Sequence, residues 1–296
     1  MIHITKNTAT PTALKTVQDE IEDKLLLQTT SFKWQTEHYS RPIKEELKSL
    51  YHNKCGFCEI KLTESNTPQK FTVEHFRPKS MYWWLGNEWT NLFPTCQKCN
   101  DNKEDDFDLR YGNISGNRSR VTEPTFRSDG KLDRNKSLAS DEDFIKEQAY
   151  FLHPEVDQPE DFFEFLPNGK VKGKNSLSAW NKARAQKMMD KFLGVPSIEE
   201  KRLKYINDLR RDLERHIDNF FKIVDDANPT DQEIQLGFNP FFEKLFRTNA
   251  FESEFSRLGY WMTASFSKFF LEEDFFSDDI KKLILYAMQL FLEDNL

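Results

Sequence analysis

All four cysteines of this chain fall into two C-x-x-C pairs, Cys55/Cys58 and Cys96/Cys99. Each pair lets two thiolates converge on one ion, and two such turns complete a tetrahedral four-sulfur site. Zinc is the expected metal, because an all-sulfur shell suits it and asks for no redox chemistry. Gly56, between Cys55 and Phe57, allows the first turn to be tight, and Pro94-Thr95 leads into the second. The competing use of four cysteines is two disulfides. That belongs to secreted chains, and no signal peptide opens this sequence, so a structural zinc site in a cytoplasmic protein is expected.

Between and just after the pairs lie residues suited to hydrolysis. Phe71-Thr72-Val73-Glu74-His75-Phe76-Arg77-Pro78 reads as a short strand running into a Pro-stopped loop. Glu74 can hold a hard divalent cation through oxygen. His75, whose imidazole titrates near neutrality, can take a proton from water. Downstream come Asn91, then Asn100 and Lys103. The last two are three apart at the start of an expected helix, so they share a face.

Acid-His, a middle Asn, then C-x-x-C-N-x-x-K resembles the HNH, or ββα-metal, nuclease family with its zinc-knuckle decoration. The resemblance implies that His75 is the general base and that Glu74 and Asn100 ligate a catalytic Mg²⁺ or Mn²⁺. It also implies that Asn91 pins the loop aiming His75, and that Lys103 touches a phosphate or supports the ligands. Glu74 departs mildly from the Asp or His usual there. Phosphodiester cleavage needs an activated water and a cation on the developing charge, which fits these residue types. The expected products carry 5′-phosphate and 3′-hydroxyl ends.

The opening Met1-Ile2-His3-Ile4-Thr5-Lys6, then Val73 to Lys79, and Leu152-His153-Pro154-Glu155-Val156-Asp157 resemble more narrowly the HNH proteins of retron and Septu anti-phage systems, the PtuB group. That likeness covers residues 1–173. It implies an ABC/SMC-like ATPase of the PtuA type as partner, a retron reverse transcriptase with its msDNA as a further one, and nucleic acid as substrate. DNA is favoured; RNA, tRNA in particular, is the alternative within the enzyme class. A non-catalytic zinc-fold adaptor for the ATPase is the alternative outside it. Arg77, Lys79, Lys98 and His153 are candidate nucleic-acid contacts. His153 and Asp157 either extend the active site or serve an ordinary structural purpose.

The net charge of −7 is awkward for a nuclease, since nucleic-acid affinity comes mainly from neutralising phosphates. Charge is segregated, however. Residues 41–79 hold 8 Lys/Arg against 5 acids, 180–215 hold 10 against 6, and 271–296 hold 2 against 7. Either a basic region or a partner then supplies the binding surface. No apolar run is long enough to span a membrane, and no Gly-rich phosphate loop suggests nucleotide hydrolysis.

The elements that must position these residues follow from periodicity. Helices are expected over 11–30 and from Arg41-Pro42, the second carrying Ile43, Leu47, Leu50 and Tyr51 toward the first cysteine pair. Residues 104–140, with Gly112, Gly116 and Gly130, read as an exposed insertion or loop; solvation is the expected use of its Arg118, Arg120, Arg127 and Arg134, and contact with nucleic acid the alternative. A hairpin is expected over 162–173 around Asn168-Gly169. From 174 onward the chain reads as helical, with capping boxes at Ser197/Glu200 and Thr230/Glu233.

Ile198, Leu203, Ile206, Leu209, Leu213 and Ile217 form one apolar stripe. Phe266, Phe269, Phe270, Leu283, Leu285, Phe291 and Leu292 crowd the end. An internal helical core is the expected use of such stripes. The sharper alternative is that part of this surface docks the ATPase or a second copy in a homodimer. The fold class expected is α+β, mostly α. A zinc-stapled ββα-metal core with N-terminal helices occupies 1–173 and a helical, partner-binding domain occupies 174–296.

Overall fold

The computed structural model describes residues 1, 3–6, 9–12, 14–15, 41–111, 120–224, 228–272 and 275–295. Most of the helix expected over 11–30, together with Gly112, Gly116 and Arg118, lies outside the described residues. The described residues form two compact units. One contains Met1–Phe163 and Gly173–Leu193, the other Glu164–Lys172 and Gly194–Leu296. The tip of the hairpin groups with the second unit, and the helix that follows it groups with the first.

In the first unit, helix α1 (Arg41–Leu50) buries Ile43 and Leu47, with Tyr51 buried just beyond its end. Strands β1 (Phe71–His75) and β2 (Leu92–Cys96) pair antiparallel, with Phe71 opposite Cys96 and His75 opposite Leu92. Helix α2 (Gln97–Lys103) follows β2 directly, which completes a ββα unit. Its short length reflects a polar, Asn-rich sequence, and it ends at Glu104 with a positive φ of 47°. The residues between β1 and β2 hold two 3-10 turns, Trp83–Leu85 and Trp89–Asn91.

Two later elements of this unit support the core. One is the short helix α3 (Glu142–Lys146). The other is α4 (Ala179–Met188), which runs into a π-turn over Met189–Leu193. Phe192 of that turn stacks on Phe57 at 3.8 Å between ring centroids, and Phe57 meets Phe93 edge-on at 4.9 Å. Gly56 lies against this cluster. A Cβ there would come within 2.8 Å of the Phe93 ring, so the glycine is required for room and not for an unusual φ.

The segment expected to be an exposed insertion is partly built into the core. Leu132 and Ala139 are buried, Ala139 N–H donates to Thr90 Oγ1, and Val121 N–H donates to Glu147. Polar composition concealed this because the anchoring is through backbone N–H groups, which every sequence carries.

The hairpin pairs β3 (Phe163–Phe165) with β4 (Val171–Gly173), and Gly169 takes a φ of +78° at its turn. The second unit is otherwise helical: α5 (Pro196–Ile223), α6 (Asp231–Arg247), α7 (Ser256–Ala264), α8 (Phe266–Phe270) and α9 (Asp278–Asn295). α5 buries Ile198, Ile206, Leu209, Leu213, Ile217 and Phe220, as its periodicity requires.

The Thr230/Glu233 capping box forms. The one expected at Ser197/Glu200 does not, because Pro196 takes the first helical position and makes Val195 the cap. Phe266, Phe269, Phe270 and Phe291 are buried, but Leu285 is exposed. It lies one residue off the stripe of Ile284, Ala287 and Phe291 that α9 turns inward. Among the described residues no helix is long and apolar enough to cross a membrane.

Candidate active site and cysteine cluster

The two C-x-x-C turns meet. All four Sγ atoms lie within 4.8 Å of one another and all four residues are buried. Cys58 and Cys96 Sγ are 3.8 Å apart, too far for a disulfide, whose S–S length is about 2.05 Å. Cys96 caps α2, its Sγ accepting from Cys99 N–H at 3.4 Å. The first turn is closed by Cys55 N–H donating to Ile60 O and Glu59 N–H to Cys55 O. Burial, with help from neighbouring sulfurs, pushes the Cys58 and Cys99 thiols well above their ordinary range. Four thiolates held this close need a cation among them, and an all-sulfur tetrahedron fits zinc. Among the described residues this is the one cluster of three or more His, Cys or carboxylate side chains able to share an ion.

The second feature is a cleft of about 670 Å³ beside the ββα unit, lined by Glu74 and His75 from β1 and Asn100 from α2. His75 is buried, and its Nε2 lies 2.9 Å from the carbonyl of Gly86. A carbonyl only accepts, so Nε2 carries the proton and a neutral ring keeps its lone pair on Nδ1. Burial pulls the imidazole down to about 4, so the ring is neutral at pH 7. Glu74 is buried as well. Desolvation pushes its carboxyl up, against the pull of Lys103, whose Nζ is 2.8 Å from Oε1.

Asn91 is not on the cleft wall. It is buried behind it and ties the loop between the strands at both ends. Its Oδ1 accepts from Arg77 N–H at 2.8 Å, and its Nδ2 donates to Arg77 O and Leu85 O, each at 3.1 Å. Leu85 precedes Gly86, so the Asn91 amide fixes the carbonyl that orients His75.

Other candidates are placed differently. Lys103 is fully buried and meets Glu74, so a direct phosphate contact is ruled out and the supporting role remains. Arg77 is no surface contact either. It is 4% exposed, with Nε on Glu147 Oε2 at 2.9 Å and Nη2 on Phe144 O at 3.0 Å. His153 is likewise buried, its Nε2 donating to Thr90 O at 3.0 Å while its Nδ1 accepts from Glu155 N–H, and its ring packs edge-on against Phe76. Both were drawn inward by partners more than 60 residues distant in sequence, which no local pattern reveals. Asp157 forms a bidentate pair with Arg184, at 2.7 and 2.8 Å, and accepts from His153 N–H, a structural use. Lys79 is exposed on the cleft rim; Lys98, half-buried on α2, is not among its lining residues.

Several participants carry no signal in the HNH pattern. Lys44, Lys70, Asp101, Glu104 and Asp105 also line the cleft. Lys6 reaches the back of the Trp89–Asn91 turn, its Nζ 2.8 Å from Trp89 O, bonded to Leu92 O, and 2.6 Å from Glu155 Oε1. The stretches containing Lys6 and Glu155 stood out as motifs, yet only the fold shows that they brace the turn bearing Asn91.

An antiparallel pair thus runs into a short helix, with an acid-histidine step at the end of its first strand and four cysteines gathered at the helix start. Residues 55–106 match the family model described as HNH endonuclease. The chain is similar to Septu protein PtuB of Bacillus mycoides (strain KBAB4), 22% identical over 218 residues, which cover 62% of this chain and 66% of that protein. It is 43% identical over 61 residues to Septu protein PtuB of Bacillus thuringiensis, covering 21% of this chain and 23% of that one. A third match, 26% over 166 residues, is to Septu protein PtuA of Bacillus mycoides (strain KBAB4), covering 52% of this chain and 20% of that protein. The chain thus spans just under two thirds of the first relative and less than a quarter of the other two. These relatives are Septu proteins, so the retron side of the expected resemblance gains no support from them.

Proposed function

We propose that this chain is a metal-dependent endonuclease that hydrolyses phosphodiester bonds of nucleic acid, DNA in preference to RNA. We place it as the nuclease effector of a Septu-type anti-phage system working with a PtuA-type ATPase. The observation that carries the reading is the convergence of Glu74, His75 and Asn100 on one cleft, with His75 held by the Gly86 carbonyl. The similarity to Septu PtuB and to part of a Septu PtuA supports the defence setting and the partner.

In this reading the four cysteines hold structural zinc. Glu74 and Asn100 offer a carboxylate and an amide oxygen, donors of the kind a hard cation takes. Lys103 occupies Oε1 of Glu74, so Mg²⁺ or Mn²⁺ would use the other carboxylate oxygen. When bound, that ion supplies stabilisation of charge on the phosphate and leaving oxygen. His75 takes the proton of the attacking water at Nδ1, while Nε2 stays bonded to Gly86. Phosphate oxygens entering the cleft raise the proton affinity that burial has lowered. Asn91 keeps the ring aimed, and Lys103 keeps the Glu74 carboxylate ionised and in place.

The test is cleavage of plasmid, single-stranded DNA and total tRNA by purified protein with Mg²⁺ or Mn²⁺, alone and with a PtuA-type partner, beside a His75→Ala variant. Cleavage by wild type only supports the nuclease, and the substrate that is cut decides DNA against RNA. Absence of cleavage by both proteins, with zinc retained and the ATPase bound, would turn the assignment to an adaptor.

A further inference from the structure

The charged side chains lining the cleft are of both signs. Lys44, on the first turns of α1, and Lys70, immediately before β1, are exposed, and among the described residues neither makes an ion pair. Lys79 lies on the same lining. Against them are Asp101 on α2 and Glu104 and Asp105 just past its end. Glu74 is already matched by Lys103. Besides the Glu74–Lys103 pair, three lysines and three carboxylates therefore line the cleft, which as it stands has no excess of positive charge. The chain as a whole carries −7.

We propose that the cleft admits a nucleic-acid backbone only after a divalent cation has entered it, with Lys44 and Lys70 then holding the phosphates. The proposal rests on the nuclease reading of the same cleft. Polyanion affinity comes from local positive charge that releases counterions, and a near-neutral wall releases few. One divalent cation changes the balance by two charges, enough to make the cleft cationic. The acids of the lining then act as a gate: they repel phosphate from the metal-free site and stop mattering once it is filled. They do not form a metal cage of their own, since among the described residues the cysteines are the only convergent cluster of that kind. Lys44 and Lys70 suit the holding role because exposed, mobile ammonium groups can follow a backbone without reading bases.

Binding tests this apart from cleavage. A labelled DNA strand and its duplex are titrated with His75→Ala protein, in EDTA and in Mg²⁺ or Ca²⁺ at matched ionic strength, with zinc content checked. The expected result is affinity at least about tenfold higher with the cation. The Lys44→Glu/Lys70→Glu pair is expected to lose most of that gain and to lower the salt slope by about two. Asp101→Asn/Asp105→Asn is expected to raise affinity in EDTA. Equal affinity with and without cation overturns the gate, as does indifference to the lysine pair. No binding under any condition also overturns it. Wild-type cleavage measured in parallel separates the cases: if DNA is cut while binding ignores the cation, the nuclease reading survives and only the gate falls.

Discussion

Lys103 Nζ and Glu74 Oε1 lie 2.8 Å apart, with the lysine side chain fully buried and the carboxylate 9% exposed. The lysine of C-x-x-C-N-x-x-K therefore serves the acid of the acid-histidine step. It comes from the last turn of α2 and reaches the end of β1, which links the two elements of the candidate site through one ion pair. Removing either partner of a buried pair leaves a charge without compensation, which costs far more than a surface pair would.

Lys103→Met is the sharpest probe of this link. Burial already raises the Glu74 pKa, and Lys103 works against that rise. Without the lysine the carboxyl goes up further and the ionised form is left unpaired. We expect a loss of about 3 kcal/mol at pH 8 and a smaller one at pH 5, where Glu74 can take a proton. Chemical denaturation of variant and wild type at the two pH values measures it. Equal losses at both would mean that the ion pair contributes little.

Cysteine spacing, the acid-histidine step and the capping box at Thr230/Glu233 were legible because each is a local pattern with a local cause. Arg77 and His153, expected as nucleic-acid contacts, are buried on Glu147 and Thr90, and nothing near them in sequence shows those partners waiting. Lys44 and Lys70 went unnoticed for the opposite reason. They belong to no motif, and only the packing of α1 beside β1 brings them to the cleft. Arg202, wholly buried on α5 with Nε on Gly169 O at 2.7 Å, shows the same limit in the helical unit.

Chelation should act on stability before it acts on chemistry. Replacing Cys58 with Ser removes one thiolate from a buried tetrahedron and leaves a hydroxyl that binds zinc poorly. One zinc per chain in wild type and less in the variant is the expected outcome of elemental analysis. A fall in thermal stability of several kcal/mol equivalents is expected beside it, on the order of a structural site's share. A wild type whose melting temperature is unchanged by exhaustive chelation would argue against a structural metal.

Asn91→Ala should reduce cleavage without releasing zinc. The amide makes three bonds to the loop, and the one at Leu85 neighbours the carbonyl that holds His75. Misplacing the base by a fraction of an ångström costs on the order of tenfold to a hundredfold in kcat. KM should change little, since Asn91 does not line the cleft. A rise in KM with kcat intact would assign it to substrate binding. Asn91→Asp should not rescue, because a carboxylate cannot donate to Arg77 O and Leu85 O.

Glu88 gives a pH dependence of known sign. It caps the Trp89–Asn91 turn, accepting from Thr90 N–H at 3.2 Å and Thr90 Oγ1 at 3.1 Å. Burial pushes its carboxyl up to about 7, only partly offset by the Thr90 bonds and by Lys6. A carboxyl raised in the folded state binds more protons folded than unfolded. Its contribution is therefore fully present below the ordinary carboxylate pKa and is lost as pH rises through 7. Glu88→Gln keeps the accepting oxygen and removes the titration. Variant and wild type should match near pH 4.5, and the variant should be more stable at pH 8.5 by up to about 3 kcal/mol. Denaturant midpoints across that range, on protein with zinc bound throughout, give the comparison. A difference that stays flat with pH would mean that Glu88 ionises in the folded chain as readily as in water. The turn bearing Asn91 would then be more open to solvent than its hydrogen bonds imply.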